Sequence, residues 1–232
     1  MAPLPYATTV RRIVTGISLL TAPGLGLLGS VLTPQYTGGM EAEFAAIAAA
    51  PTRWLISQWL ILLTFLLFIP AVMGLLGLLR DRWVVPGYIG GGLMLLGSYF
   101  HGAVIGFALV EVPLVQRGGE HGQLVALTDA FFSHAAFSMI LLPFIGFFLG
   151  TLILALALWQ ARLVPAWIAA LLGAAVFAEL FGPDRASPEL MFVMFQLSFS
   201  WLGWRILQAP HTEVGSKPIR QTTGEREAVA SG

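Results

Sequence analysis

Long apolar segments separated by short polar turns dominate the chain. The apolar runs cover about residues 11–33, 53–79, 84–112, 123–159, 164–182 and 188–207. A helix rising about 1.5 Å per residue needs roughly 20 apolar residues to cross a hydrocarbon layer about 30 Å thick. The pattern therefore predicts an all-α fold: a polytopic membrane helical bundle of six transmembrane helices over residues 11–208. A short N-terminus (1–10) precedes it, and a polar tail (209–232) rich in Thr, Gly, Glu and Arg is expected to be disordered.

The runs differ in character. The third carries Gly87 and Gly91, then Gly102 and Gly106, small residues four apart that let a neighbouring helix approach closely. The fourth would be about 55 Å long as one straight helix, so it has to tilt, protrude, or kink near Pro143. Between the first two runs, Pro34–Gly39 reads as a turn, and Met40-Glu41-Ala42-Glu43-Phe44 leads an Ala-rich stretch up to Pro51. Acids in a first turn and a terminating proline predict a short helix there, either a lid over the bundle or a plain helical connection.

Composition agrees with the pattern. Charged residues make up 10% of the 232, against about 25% in soluble domains, and the mean hydropathy is +0.82. The expected location is the cell membrane, crossed several times, with membrane lipids as neighbours and a homo-oligomer left open. Arg11-Arg12 before an apolar run resembles a signal peptide, but the run is longer than a signal core and lacks a cleavage pattern, so it reads as the first span. Arg11, Arg12, Arg80, Arg82, Arg162 and Arg205 fall at one end of the predicted bundle, and the positive-inside rule makes both termini cytoplasmic, N-in/C-in. Glu41, Glu43, Glu111, Glu120, Asp129, Glu179, Asp184 and Glu189 fall toward the other end, so any chemistry faces outward.

Several classes are excluded. With no cysteine there is no disulfide, iron–sulfur cluster or thiolate site, and a net charge of zero without a basic cluster gives no nucleic-acid footprint. Phosphate-binding glycine loops, aspartate-rich diphosphate motifs and His-Glu-x-x-His are absent, and Lys217, outside the spans, is the one lysine.

Ionisable groups within apolar segments are the functional pointers, since each costs about 2.5–3.5 kcal/mol to insert. His101, Asp129, His134 and Glu179 are of this kind. Together with Gln58, Tyr99, Phe100, Phe131, Phe132, Ser133, Gln196 and Trp201 they predict an outward-facing polar and aromatic pocket. In apolar surroundings a carboxylic acid favours its neutral form and serves as a general acid, with histidine as base partner. Asp129 and His134 lie about 140° apart around a helix, whereas Asp129 and Ser133 share a face. The competing structural role for these groups is hydrogen bonding between helices. Glu111, Asp184, Arg185 and Glu189 read as solvated groups at loop ends.

The run Ala48-Ala49-Ala50-Pro51-Thr52-Arg53-Trp54, with Ile69-Pro70-Ala71-Val72-Met73-Gly74-Leu75-Leu76 and Arg80-Asp81-Arg82, resembles a group of uncharacterised six-span actinobacterial integral membrane proteins. The resemblance implies the fold and no activity.

Three functions are expected in order. The first is a small membrane enzyme performing acid–base chemistry, such as cyclisation, isomerisation or epoxide opening, on a lipophilic small molecule. Asp129 or Glu179 would donate the proton, His101 or His134 act as base, and no metal or cofactor is needed. The second is a proton-coupled carrier or an export and immunity protein, motivated by an echo of Arg82-Trp83-Val84-Val85-Pro86-Gly87-Tyr88-Ile89 in Ala161-Arg162-Leu163-Val164-Pro165-Ala166-Trp167-Ile168 that hints at a parallel repeat. The third is a scaffold or haem subunit, with b-type haem between His101 and His134.

Overall fold

The computed structural model describes residues 9–79, 83–116, 121–133, 135–181 and 187–208. His134 and the side chains of Asp129, Phe131 and Phe132 lie outside the described residues, as does the turn 80–82 on which the internal echo depends. Among the described residues every regular element is a helix: α1 (Thr9–Leu32), α2 (Met40–Ala49), α3 (Pro51–Leu76), α4 (Val84–Gln116), α5 (His121–Ser133), α6 (Ala135–Gln160), α7 (Ala166–Phe181) and α8 (Ser187–Leu207). Thr9–Leu32, Pro51–Leu76, Val84–Gln116 and Pro188–Leu207 are long and apolar enough to cross a membrane, and Ile145–Gln160 and Ala166–Phe181 are shorter apolar helices. These helices mark a membrane protein.

The long helices pack in a closed circuit. α1 touches α3, α3 touches α4, then α4 to α6, α6 to α7, α7 to α8, and α8 returns to α1. Neighbours run in opposite directions. Thr15 near the start of α1 meets Gly74 near the end of α3, while Gly29 near the end of α1 meets Ser57 and Ile61 near the start of α3. Gly16 likewise meets Leu207 at the end of α8, and Gly26 meets Phe192 near its start.

Reciprocal arginine clamps tie α1 to α3. Arg11, in the first turn of α1, donates to Met73 O at 3.1 Å near the end of α3. Arg53, in the first turn of α3, donates to Leu32 O at 2.7 Å and Val31 O at 3.3 Å at the end of α1. Arg53 satisfies carbonyls that a helix leaves unpaired at its C-terminus, and Arg11 adds a second donor to Met73 O, which also accepts from Gly77 N–H; the helix dipole favours a cation at both places.

Lipid tails are as apolar as the side chains, so close packing decides helix association within an apolar medium. The closest approach is between α4 and α6. A methyl built on Gly150 would lie 2.5 Å from Gly90 O and from Met94 N, and one on Gly90 would lie 2.6 Å from Leu154 N. Gly87 faces Leu79, just past α3, and Gly91 faces Leu76 at its end, as four-residue spacing predicts. Gly102 and Gly106 differ from that expectation: a methyl on Gly102 would meet only Leu62, at 3.6 Å, and one on Gly106 nothing within 4 Å.

The axis of the bundle is filled by Phe68, Phe147, Phe195 and Phe199, all fully buried, with ring centroids 5.5–6.3 Å apart where they meet. Most of these contacts are edge-to-face, the arrangement aromatic quadrupoles favour.

α2 lies at the end of the circuit where α1 finishes and α3 begins, and packs on α3, α4 and α5. Its Phe44 and Ile47, three apart and thus on one face, are buried with Trp54, Val112 and Val115. Burial of each of these two side chains contributes about 2 kcal/mol relative to exposure to water. α5 packs on α2 and α6, whereas α6 packs on α4 and α7, so the long fourth segment continues past the main circuit toward α2. α6 is helical through position 143.

The turn after α6 is closed by a left-handed residue. Arg162 has φ 59°, its N–H donates to Trp159 O at 2.8 Å, and Leu163 N–H donates to Leu158 O at 3.0 Å. This is a Schellman ending with arginine where glycine is usual.

Two stability outcomes follow for the detergent-solubilised protein. Gly150→Ala should lower the thermal midpoint, at a cost of about 1–3 kcal/mol, while Gly92→Ala, whose added methyl meets nothing within 4 Å, should leave it unchanged or slightly raised. Arg162→Gly should stabilise by about 1 kcal/mol by relieving the left-handed backbone. Thermal melts read both, and equal midpoints for Gly150→Ala and Gly92→Ala would refute the close α4–α6 crossing.

Candidate functional site

A cavity of about 560 Å³ lies within the circuit at the α2 end, in the range of pockets that take a small organic ligand. Its floor is aromatic. Phe65, Phe147 and Phe148 line it and pack downward on the fully buried Phe68 and Phe195. Its upper wall is polar, with Tyr36 and Glu43 beside α2, Trp54 and Gln58 of α3, Glu179 of α7 and Glu189 of α8.

His101 sits on the floor because Gly97, one turn earlier, allows α6 to approach. A methyl on Gly97 would lie 2.7 Å from the backbone of Phe147. The imidazole stacks on Phe65, with centroids 4.4 Å apart and planes 23° apart, and lies 5.2 Å from the Phe147 ring. Its Nδ1 is 2.9 Å from Gly97 O. A carbonyl only accepts, so Nδ1 carries the proton and Nε2 is the acceptor of the neutral ring.

Several hydroxyls elsewhere in the bundle are satisfied locally. Ser57, Thr64, Ser98, Thr151 and Ser198 each donate to a carbonyl one turn back on their own helix, at 2.7–3.0 Å, which lets a hydroxyl be buried without a partner. On the cavity wall Trp54 Nε1 and one carboxyl oxygen each of Glu179 and Glu189 are buried without a hydrogen-bond partner, as are one Glu111 oxygen on α4 and Gln196 Oε1 away from the wall. Unpaired buried polar atoms cost about 1–3 kcal/mol apiece, so a cluster of them calls for a function.

Glu111 and Glu189 are corrections to the expectation of solvated loop-end groups. Glu111 is only 5% exposed because α2 folds across the last turns of α4 and buries Val112 and Val115 beside it. Glu189 is half-buried on the cavity wall and is an electrostatic neighbour of Glu179. Asp184 and Arg185 lie outside the described residues.

Of the candidates drawn from the sequence, His101, Glu179 and Gln58 meet on this one cavity. Gln196 instead ties α8 to α1, donating through Nε2 to Leu20 O at 3.0 Å and to the Ser200 hydroxyl. Trp201 lies toward the opposite end of α8, edge-to-face with Trp167 at 5.9 Å and beneath the Arg205 guanidinium. Tyr99 is 70% exposed and stands edge-on to the half-buried Phe100, and neither lines the cavity. Ser133 is exposed and bonds its own helix at Ala130 O. Tyr36, Glu43, Trp54, Phe65, Phe147, Phe148 and Glu189 were not singled out. The acids of the α2 first turn and the opening acid of α8 were the available signals, whereas nothing separates Phe147 from other phenylalanines in an apolar run.

Comparison with protein-family models, curated proteins and solved structures returns no match. The site has to be read from its own chemistry. Among the described residues no three His, Asp or Glu side chains are grouped closely enough to hold a metal ion. His134, the second histidine of the haem alternative, falls outside those residues.

At the mouth, Tyr36 and Glu43 form a side-chain hydrogen bond. Burial, and next the Glu43 carboxylate, push the Tyr36 phenol up to about 12 from its ordinary 10.0. Burial also pushes the Glu43 carboxyl up, opposed by the hydrogen bond from Tyr36. A raised carboxyl favours the folded state when protonated. Its contribution is present in full below the ordinary value of 4.5 and is lost as pH rises through the raised value. Tyr36→Phe removes the opposing hydrogen bond, so Glu43 should stay protonated to a still higher pH. The infrared band of the protonated carboxyl, assigned by its loss in Glu43→Gln, should titrate later in Tyr36→Phe than in the native protein, and an earlier titration would contradict the pairing.

Proposed function

We propose that this protein is a small membrane-embedded enzyme performing acid–base chemistry, of the cyclisation, isomerisation or epoxide-opening kind, on a lipophilic molecule held in the cavity beneath α2. The observation that carries this reading is that His101 and Glu179 lie on one aromatic-walled cavity, with a Glu179 oxygen left without a partner. Glu179 would act as proton donor and His101, through Nε2, as base or orienting group. Asp129 and His134 remain in the proposal as additional acid and base. The aromatic rings of Phe65, Phe147 and Phe148 would stabilise cationic character in the reacting molecule.

The proposed setting is the cell membrane, crossed six times with both termini inside, so that the α2 end faces outward. Support comes from the alternating directions around the circuit and from the charges. Arg11, Arg162 and Arg205 stand at the end away from α2, while Glu41, Glu43, Glu111, Glu179 and Glu189 stand at or near the α2 end. The carrier alternative is the weaker one, because the fully buried Phe68, Phe195 and Phe199 close the axis below the cavity.

Native mass spectrometry of the detergent-purified protein should release a bound lipophilic molecule, and turnover of that molecule provides the assay. Glu179→Gln should lower kcat by about 10²–10⁴-fold, the usual worth of a positioned proton donor, with the protein folded and the molecule still bound. Full turnover by both Glu179→Gln and Asp129→Asn would sink the enzyme reading.

A further inference from the structure

Among the described residues the cavity wall carries acids and no permanent base: Glu43, Glu179 and Glu189 line it, and no described lysine or arginine does. Arg53, at the same end, has its guanidinium committed to Leu32 O and Val31 O. Among the described residues none of these three carboxyls has a cation within ion-pair distance, and Glu179 and Glu189 are electrostatic neighbours of each other, each with one buried oxygen lacking any partner. Of the other titratable groups on the wall, His101 is stacked on Phe65 and bonded to Gly97 O, and the Tyr36 phenol is bonded to Glu43.

A second observation points to a ligand independently of the acids. Trp54 is 2% exposed with an unpartnered Nε1, and the polar amide of Gln58, 8% exposed, lies one turn further along the same helix. Both stand on the same wall. In a bundle where buried hydroxyls bond their own helices, a buried indole N–H left open to the cavity, with a buried amide beside it, is a donor awaiting an occupant.

We propose that the cavity selects amphiphilic organic cations, molecules carrying a protonated or quaternary amine on an apolar body. The cationic head sits between Glu179 and Glu189, where one negative charge on the pair balances it and the other acid keeps its proton. The apolar body lies on the faces of Phe65 and Phe147, which also attract a cation through their ring quadrupoles, and a polar atom of the ligand meets Trp54 Nε1 or the Gln58 amide. The inference rests on the reading of this cavity as the substrate site and adds the charge of what enters it. Neutral and anionic amphiphiles of the same size are discriminated against, because neither balances the charge of an ionised acid on this wall.

The test is scintillation-proximity binding of tritiated decyltrimethylammonium and tritiated decanol to the full chain in maltoside, each corrected for partitioning into protein-free micelles. The cation should bind saturably and at least tenfold more tightly than the alcohol. The double variant Glu179→Gln, Glu189→Gln should lose at least tenfold of the cation affinity and leave the alcohol unchanged. If the two probes bind alike, or the folded double variant keeps cation affinity, the charge selectivity is wrong while the cavity remains a lipophilic site. If neither binds above the micelle blank, the substrate-site reading falls with it. The comparison of the two probes on the native protein decides the matter even where the double variant does not fold.

Discussion

The phenylalanines along the bundle axis decide where space is left. Phe68, Phe147, Phe195 and Phe199 fill the middle of the circuit edge against face, and nothing smaller would bridge α3, α6 and α8 at that level. Above them the helices no longer meet through such large side chains, and a cavity opens whose floor is the top of the same aromatic group. The contrast at α4 is direct. Gly90 and Gly97 lie against α6 backbone, while His101, Ile105 and Ala108, further along the same helix, line the cavity. One helix is therefore both a packing surface and a cavity wall, and the change comes at His101.

Within an apolar bundle the treatment of polar groups separates structure from function. Hydroxyls are satisfied on their own helices and the arginines of α1 and α3 cap each other's C-termini, so these groups cost little and hold the frame. The acids and the Trp54 indole at the α2 end are not satisfied in this way. Stability alone would favour apolar replacements there. Retaining Glu179 and Glu189 side by side against aromatic walls is understandable when an occupant completes the set, which links the fold to its proposed chemistry.

The α2 helix shows how the mouth is built. Its two buried side chains, Phe44 and Ile47, lock it onto α4 through Val112 and Val115 and onto α3 through Trp54. That docking brings Glu43 to Tyr36 and buries Glu111. The mouth is thus held by apolar packing outside the main circuit, where exclusion of water does contribute, and a weak polar latch sits on top of it.

The sequence by itself determined the helices and the medium. Apolar runs longer than a bilayer's thickness, scarce charges, the proline that starts α3 and the acids that open α2 are local signals, and local signals fix local structure. The segregation of acids toward one end was legible for the same reason, since turns alternate between ends. Partnership was decided by the tertiary structure. Gln196 and Trp201 looked like pocket residues but bind α1 and Trp167, and Glu111 and Glu189 looked solvated until α2 and α7 enclosed them. Rotation of one helix about its axis changes which residue faces the interior, and that rotation is set by contacts such as Gly90 on Gly150 between segments distant in sequence, which no window along the chain contains.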